Sequence, residues 1–279
     1  MTETVRAEAN PSRHRRVDPS PETRARSAER RHMLRDLRMA IAQRSFVLDY
    51  QPRLSLRELR IRAAEALIRW PHRRRGATVQ PAAFIPLAEA SGLITEIGRW
   101  VLEEACREAA AWTGDAVVAV NVSARQLHDG SLSAHIGAAL ESSGLDPERL
   151  EIELTESMVI DTGTDTLLRL AAIRDLGVGV ALDDFGTGYA SLAVLKRLPL
   201  TVLKLDRTMV REVPENREDA VITRAVVETG HALGLTVVAE GIETEAQLAF
   251  LAGIGCDEGQ GFLFSRALPA GVFRKRLVQ

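Results

Sequence analysis

From residue 46 onward two patterns alternate along the chain. Short runs in which apolar side chains dominate or take every second place predict strands at 46–51, 61–69, 117–122, 150–154, 178–184, 202–206, 235–240 and 261–264. Between most of them, apolar residues spaced three and four apart predict helices at 86–94, 97–112, 132–143, 164–176, 191–198, 220–233 and 244–254. Eight strands alternating with helices match the count of a parallel (β/α)8 barrel. Only residues 52–60 separate the first two strands, too few for a crossover helix, so that pair should run antiparallel. The expected fold is therefore α/β, a modified TIM-type (β/α)8 barrel with an antiparallel first strand.

Ahead of the strands, Met33, Leu34, Leu37, Ala40 and Ile41 share one helical face, and that helix is expected to start at Arg30. Residues 1–29 hold Pro11, Pro19 and Pro21, many Arg and Ser, and almost no large apolar side chains. Such a segment cannot bury enough surface to offset its chain entropy, so it is expected to be a disordered tail, with residues 30–279 as one domain. At 279 residues, 46% hydrophobic and 27% charged, the chain can build one large core. The net charge of −2 divides unevenly: eight Arg against five acids through His32 give +3, leaving −5 on the remainder. That balance argues against a polymeric nucleic acid as partner. Cys106 and Cys256 form no CxxC, which excludes a disulfide framework and a thiolate zinc site. No apolar run reaches bilayer length and no secretory h-region is present, so a cytoplasmic protein with no membrane partner is expected.

Polar side chains placed at strand ends change the picture. Glu65, Asn121, Glu153, Asp183 with Asp184, Lys204 with Asp206, and Glu240 with Glu243 each close an apolar run. In a barrel of this kind those ends meet at one rim, where the active site sits. Alone, Asp206 or Glu156 would read as a helix cap. So many carboxylates on one small rim need positive charge among them. An all-oxygen donor set selects a hard cation, Mg²⁺ or Mn²⁺, over zinc or copper. The six histidines have no metal-like spacing.

Asp183 and Asp184 are neighbours, so on a regular strand they would face opposite ways. For both to serve one site the backbone must turn, which Gly186 and Gly188 permit. Lys204 lies among Val202, Leu203 and Leu205 and should face the same way as Asp206, buried near the acids. Asp184-Phe185-Gly186 matches a kinase triplet, yet no catalytic or nucleotide loop of that class accompanies it.

From about Arg30 to the C-terminus the chain resembles the EAL-domain family of cyclic di-GMP phosphodiesterases. The resemblance is carried in order by Tyr50-Gln51-Pro52, Glu65-Ala66-Leu67-Ile68-Arg69-Trp70, the segment 84–89, Asn121-Val122-Ser123, Glu153-Leu154-Thr155-Glu156, the loop 183–192, Leu203-Lys204-Leu205-Asp206, the segment 239–244, and Gly259-Gln260-Gly261-Phe262. It implies two metal ions, Mg²⁺ or Mn²⁺, one held by Glu65, Asn121, Glu153 and Asp183, and a second by Asp183, Asp184 and Glu240. A water between the ions would attack phosphorus, giving linear pGpG. Lys204 would orient that water, supported by Asp206 and Gln260. Glu156 would tether the Gly-rich loop, and Glu243 would support the metals. Gln51, Leu67 and Arg69 would contact cyclic di-GMP, Arg69 as a phosphate donor. A homodimer through helices near the Gly-rich loop is also implied. With no sensory, receiver or cyclase segment in the sequence, either the domain acts alone or a separate regulatory protein supplies control.

The chain departs from the family pattern at Arg62, Ala63, Ala190, Phe262 and Ala267, none of them a metal ligand. Arg73, Arg74 and Arg75 read as a solvated loop. The alternative function is a catalytically silent cyclic di-GMP receptor acting through a partner protein. Such proteins generally lack ligands, whereas this chain keeps them all. A generic phosphate-handling barrel would place a phosphate site after the last strands, where Glu240 and Glu243 oppose it.

Overall fold

Residues 21–72, 76–159, 163–188 and 192–278 are described by the computed structural model, with side chains from residue 28. Expectations for residues 1–20, for Arg73, Arg74 and Arg75, and for Ala190 lie outside the described residues. The strands are β1 (Val47–Ser55), β2 (Ile61–His72), β3 (Ala77–Val79), β4 (Val117–Asn121), β5 (Leu150–Thr155), β6 (Gly179–Phe185), β7 (Val202–Leu205), β8 (Thr236–Ala239), β9 (Glu258–Gly259) and β10 (Leu268–Pro269). Pairing runs β1-β9-β8-β7-β6-β5-β4-β2, and a further β1–β2 pairing closes the ring. From β2 through β9 neighbours are parallel, while β1 is antiparallel to both of its ring neighbours. The short β1–β2 connection dictates this arrangement, and β3 and β10 extend the sheet outside the ring.

The helices are α1 (Pro21–Ala42), α2 (Pro81–Ser91), α3 (Ile94–Ala110), α4 (Ala124–His128), α5 (Leu132–Ser143), α6 (Glu156–Val159), α7 (Thr164–Asp175), α8 (Leu192–Leu195), α9 (Arg207–Val210), α10 (Arg217–Ala232), α11 (Glu245–Gly253) and α12 (Ala270–Leu277). Among the described residues, no helix is long and apolar enough to cross a membrane. Outward-facing strand residues pack beneath these helices. Tyr50 of β1 meets Trp112 edge-on at 5.4 Å and Phe273 of α12 at 5.8 Å, so the C-terminal helix covers the antiparallel strand. Inside the ring, Ala181, Val202 and Val238 form a separate apolar patch. Each stands two residues before Asp183, Lys204 or Glu240, so alternation points all six side chains into the barrel. Small residues below leave room for polar ones above.

Among the boundaries that differ from the sequence reading, three have a clear physical reason. Helix α1 starts at Pro21, so residues 21–29, assigned to the tail, are helical. Proline suits the first helical position, where its missing N–H costs nothing. Helix α2 opens at Pro81 for the same reason, with Pro86 inside it, and ends at Gly92 in a left-handed conformation. The eighth strand is Glu258–Gly259, and the predicted strand at 261–264 is a turn closed by the Phe264 and Ser265 amides on the Gly261 carbonyl, both at 3.1 Å. Gly261 lies flat against the backbone of Ile242, where a Cβ would stand 2.1 Å from the carbonyl oxygen. That contact bends the chain away from the sheet.

Candidate active site

At the mouth of the barrel Lys204 is fully buried. Its Nζ lies 2.8 Å from Glu153 Oε1, 3.1 Å from Asp183 Oδ1 and 2.7 Å from Glu240 Oε1. Four adjacent strands, β5 to β8, thus converge on one ammonium. Burial alone would lower the lysine's pKa, but Glu153, Glu240, Glu65 and Asp183 together hold it well above the usual value. Glu65 faces the same space, oriented from two sides. Asn121 Nδ2 donates to its Oε1 and Gln260 Nε2 to its Oε2, both at 2.7 Å. Burial pushes Glu65 up, yet Lys204 and these amide donors outweigh it and keep the carboxyl below its ordinary range.

Asp183 and Asp184 reach the site together through a break in the strand. The β6–β7 register shifts between Leu182 and Phe185. Asp184 itself takes the left-handed φ of 56°, with its amide donating to Asp183 Oδ1 at 2.9 Å. The turn expected from the neighbouring glycines therefore begins on an aspartate, one of the few residue types that tolerate this region.

Oxygens of Asp183, Asp184 and Glu240 come within 4.8 Å of one another, close enough to share a cation. Glu153 Oε2 and Gln260 Oε1 are buried without a hydrogen-bond partner. Burial raises Glu153 well above the normal carboxylate value, with Lys204 opposing and Glu65 and Asp183 adding to the rise. Burial likewise raises Glu240 to about 7 and, with Asp183 and Asp206, raises Asp184. Unpartnered buried oxygens and carboxyls forced toward protonation are what a hard cation would relieve. The donor set fits one.

Glu156, buried at the start of α6, accepts from the Gly186 amide at 3.2 Å and the Gly188 amide at 3.0 Å, pinning the loop after β6. Asp206 caps α9 through the Thr208 amide at 2.9 Å, as its capping chemistry suggested. A cleft of about 360 Å³ above the barrel is lined by Gln51, Glu65, Leu67, Asp183, Asp184, Asp206, Arg207, Glu240, Gly241, Glu243, Gln260, Gly261 and Phe262. Most expected site residues meet there. Arg69 does not line the cleft: its Nε donates to Asp49 at 3.0 Å and a terminal nitrogen to the Ile68 carbonyl.

Sequence reasoning missed two features. Arg207 and Phe262 line the cleft; Arg207 is signalled only by adjacency to Asp206, and Phe262, noted as a departure from the family pattern, carried no site role. Deeper in the barrel, buried Arg53 pairs with Glu151 at 2.6 Å and with Glu258 at 2.7 Å. Glu151 lies two residues before Glu153 and Glu258 two before Gln260, a period that places this cluster directly beneath the site.

The sequence matches the EAL domain family model over residues 34–267. It is 43% identical over 250 residues to the bifunctional diguanylate cyclase/cyclic di-GMP phosphodiesterase MucR of Pseudomonas aeruginosa, covering 88% of this chain and 36% of that protein. It is 41% identical over 256 residues to the cyclic di-GMP phosphodiesterase NbdA of the same organism, covering 90% and 33% respectively. The chain spans about a third of the length of these curated relatives. The structure of the PaMucR phosphodiesterase in its c-di-GMP complex aligns with a TM-score of 0.82 at 43% identity, covering 87% of this chain and 99% of that one.

Proposed function

Because the chain belongs to the EAL domain family, we propose that it is a metal-dependent phosphodiesterase that hydrolyses cyclic di-GMP to linear pGpG. The observation that carries this reading is Lys204, sealed among Glu153, Asp183 and Glu240 at the floor of the cleft. With Glu65 and Asp184, five carboxyl groups face one ammonium, which can balance only one of them when they ionise. Two divalent cations would balance the rest, and all-oxygen donors favour Mg²⁺ or Mn²⁺. Glu65, Asn121, Glu153 and Asp183 would hold one ion, and Asp183, Asp184 and Glu240 the other. Bound there, the ions would make a water acidic and draw off the charge that builds on phosphate.

The protein groups supply the rest. Asn121 and Gln260 fix the rotamer of Glu65, so its oxygens are aimed before anything binds. Lys204, a three-proton donor with no freedom to swing away, holds its acceptors in place and offsets their repulsion. Glu156 keeps the Gly186–Gly188 backbone close to Asp184. Gln51 and Leu67 border the cleft where the dinucleotide would lie. Arg69 would exchange Asp49 for a phosphate oxygen when substrate arrives.

Purified protein with cyclic di-GMP and Mn²⁺ should release pGpG, read by chromatography, and EDTA should abolish the product. Glu65→Ala and Lys204→Ala should each lower turnover by about 100-fold or more, since each loosens the ion-binding shell. Equal cleavage by all three proteins would refute the site. Tight binding without turnover by the wild type would favour the silent receptor instead.

A further inference from the structure

We propose that Arg53 is a positioning residue whose guanidinium spans the lumen, sets the spacing between β5 and β9, and so aims Glu153 and Gln260 at the ion-binding space. The proposal rests on the metal-dependent reading above and deepens it by assigning a residue that touches neither ion nor substrate. Among the described residues, no arginine is buried except Arg53 and no lysine except Lys204. The two terminal nitrogens of Arg53 donate to the two oxygens of Glu151 at 2.6 and 3.3 Å, while its Nε makes an ion contact with Glu258 Oε2 at 2.7 Å. Arg53 belongs to β1 and Glu258 to its neighbour β9, but β5 stands three strands away around the ring. The fork therefore crosses the barrel instead of bridging adjacent strands only. Small residues leave it the space: Ala63 pairs with Arg53 from β2, and Ala119 and Gly179 pair with Glu151 from β4 and β6.

A buried ion cluster is a poor way to hold a fold together. Taking three charges out of water costs most of what their attraction returns, and apolar packing of similar volume is often as stable or more so. Ala181, Val202 and Val238 fill their part of the same lumen with apolar groups. What the guanidinium adds is direction, since a planar fork fixes both oxygens of one carboxylate and a third oxygen on another strand. Those two anchors sit immediately below two groups of the site. Glu153 follows Glu151 by two residues, and its Oε1 meets Lys204 at 2.8 Å. Gln260 follows Glu258 by two residues, and its Nε2 holds Glu65 at 2.7 Å. Strand β9 is two residues long and the chain turns away at Gly261, so the anchor at Glu258 supplies a register that the short ladder lacks. Ion sites depend on such outer partners because ligand oxygens must be aimed before the ion arrives.

The test compares wild type with Arg53→Lys and with a triple variant carrying Arg53→Met, Glu151→Met and Glu258→Met. Arg53→Lys keeps every charge but loses the fork, since one ammonium cannot reproduce the three-nitrogen span. The triple variant removes the whole ion cluster and should melt in EDTA no lower than wild type. Calorimetric titration should find Mn²⁺ bound about tenfold more weakly by both variants. At saturating Mn²⁺, kcat should fall about tenfold while KM for cyclic di-GMP changes less than about threefold. A triple variant that both melts and binds Mn²⁺ like wild type would overturn the proposal, because the clamp would then serve the fold alone. Wild-type Mn²⁺ affinity in a folded Arg53→Lys would overturn it as well, because charge would suffice without the fork. Weaker Mn²⁺ binding by Arg53→Lys, alongside a wild type that releases no pGpG, would sustain the positioning role while refuting the phosphodiesterase reading.

Discussion

Replacing Lys204 with methionine tests the electrostatic core of the site. The substitution keeps an unbranched side chain of similar volume but removes the ammonium from three carboxylate oxygens at 2.8, 3.1 and 2.7 Å. At an effective dielectric near 20, each such contact has a gross Coulomb energy of about 6 kcal/mol. Desolvation offsets most of that sum, and truncating one partner of a buried ion pair costs on the order of 3–5 kcal/mol. For a domain of this size the loss translates to a drop in Tm of roughly 6–20 °C. Thermal melts should be run in EDTA at pH 8, above the value of about 7 to which Glu240 is raised, so that its carboxylate is charged. Mn²⁺ should then restore most of the lost stability, because divalent charge replaces the missing ammonium. Acidification to pH 5.5 should narrow the gap too, as Glu240 takes up a proton. A variant melting within about 2 °C of wild type in EDTA would refute the reasoning, as would a gap indifferent to both metal and acid.

Three further outcomes are expected. In metal-free protein Glu240 holds its proton to about pH 7, whereas its ordinary value is 4.5, so its contribution is fully present below 4.5 and fades as pH rises through 7. Denaturant unfolding should show a loss on the order of 3 kcal/mol across that window, absent in Glu240→Gln and reversed by Mn²⁺, which competes with the proton. Asn121→Ala removes the 2.7 Å donor to Glu65, and calorimetry should find Mn²⁺ bound about 10–100-fold more weakly, with little change in the metal-free melt. Gly261→Ala drives a methyl to 2.1 Å from the Ile242 carbonyl; a destabilisation of about 3 kcal/mol or more is expected by chemical denaturation, and near-wild-type stability would show that this turn can relax.

The barrel was legible because its main strands carry apolar runs and its first connection is too short for a helix. The convergence of Glu65, Glu153, Asp183, Lys204 and Glu240 was legible too, since each ends such a run. What escaped has local causes. A strand of two residues, Glu258–Gly259, has no periodicity to detect, so the apolar 261–264 segment drew the assignment instead. Arg53, Glu151 and Glu258 look like solvent-facing positions on half-buried strands, because nothing in one sequence distinguishes a polar lumen from water. The bend at Asp184 was foreseen from chemistry, while its placement on the aspartate depends on a register slip that no local pattern encodes. The extra helical turns before Arg30 followed from proline's fitness at a helix start, which weighed less than composition in reading that segment.

The Arg53 cluster has a consequence for traffic through the molecule. With its guanidinium clamped between Glu151 and Glu258 and only 4% exposed, it stoppers the far end of the lumen. On the proposed reading, ions, reactant and cleaved product would then share a single doorway. A dinucleotide lodged there would lock in whatever cations lay beneath it, so ion exchange should stall for as long as the ligand stays and resume only on its departure.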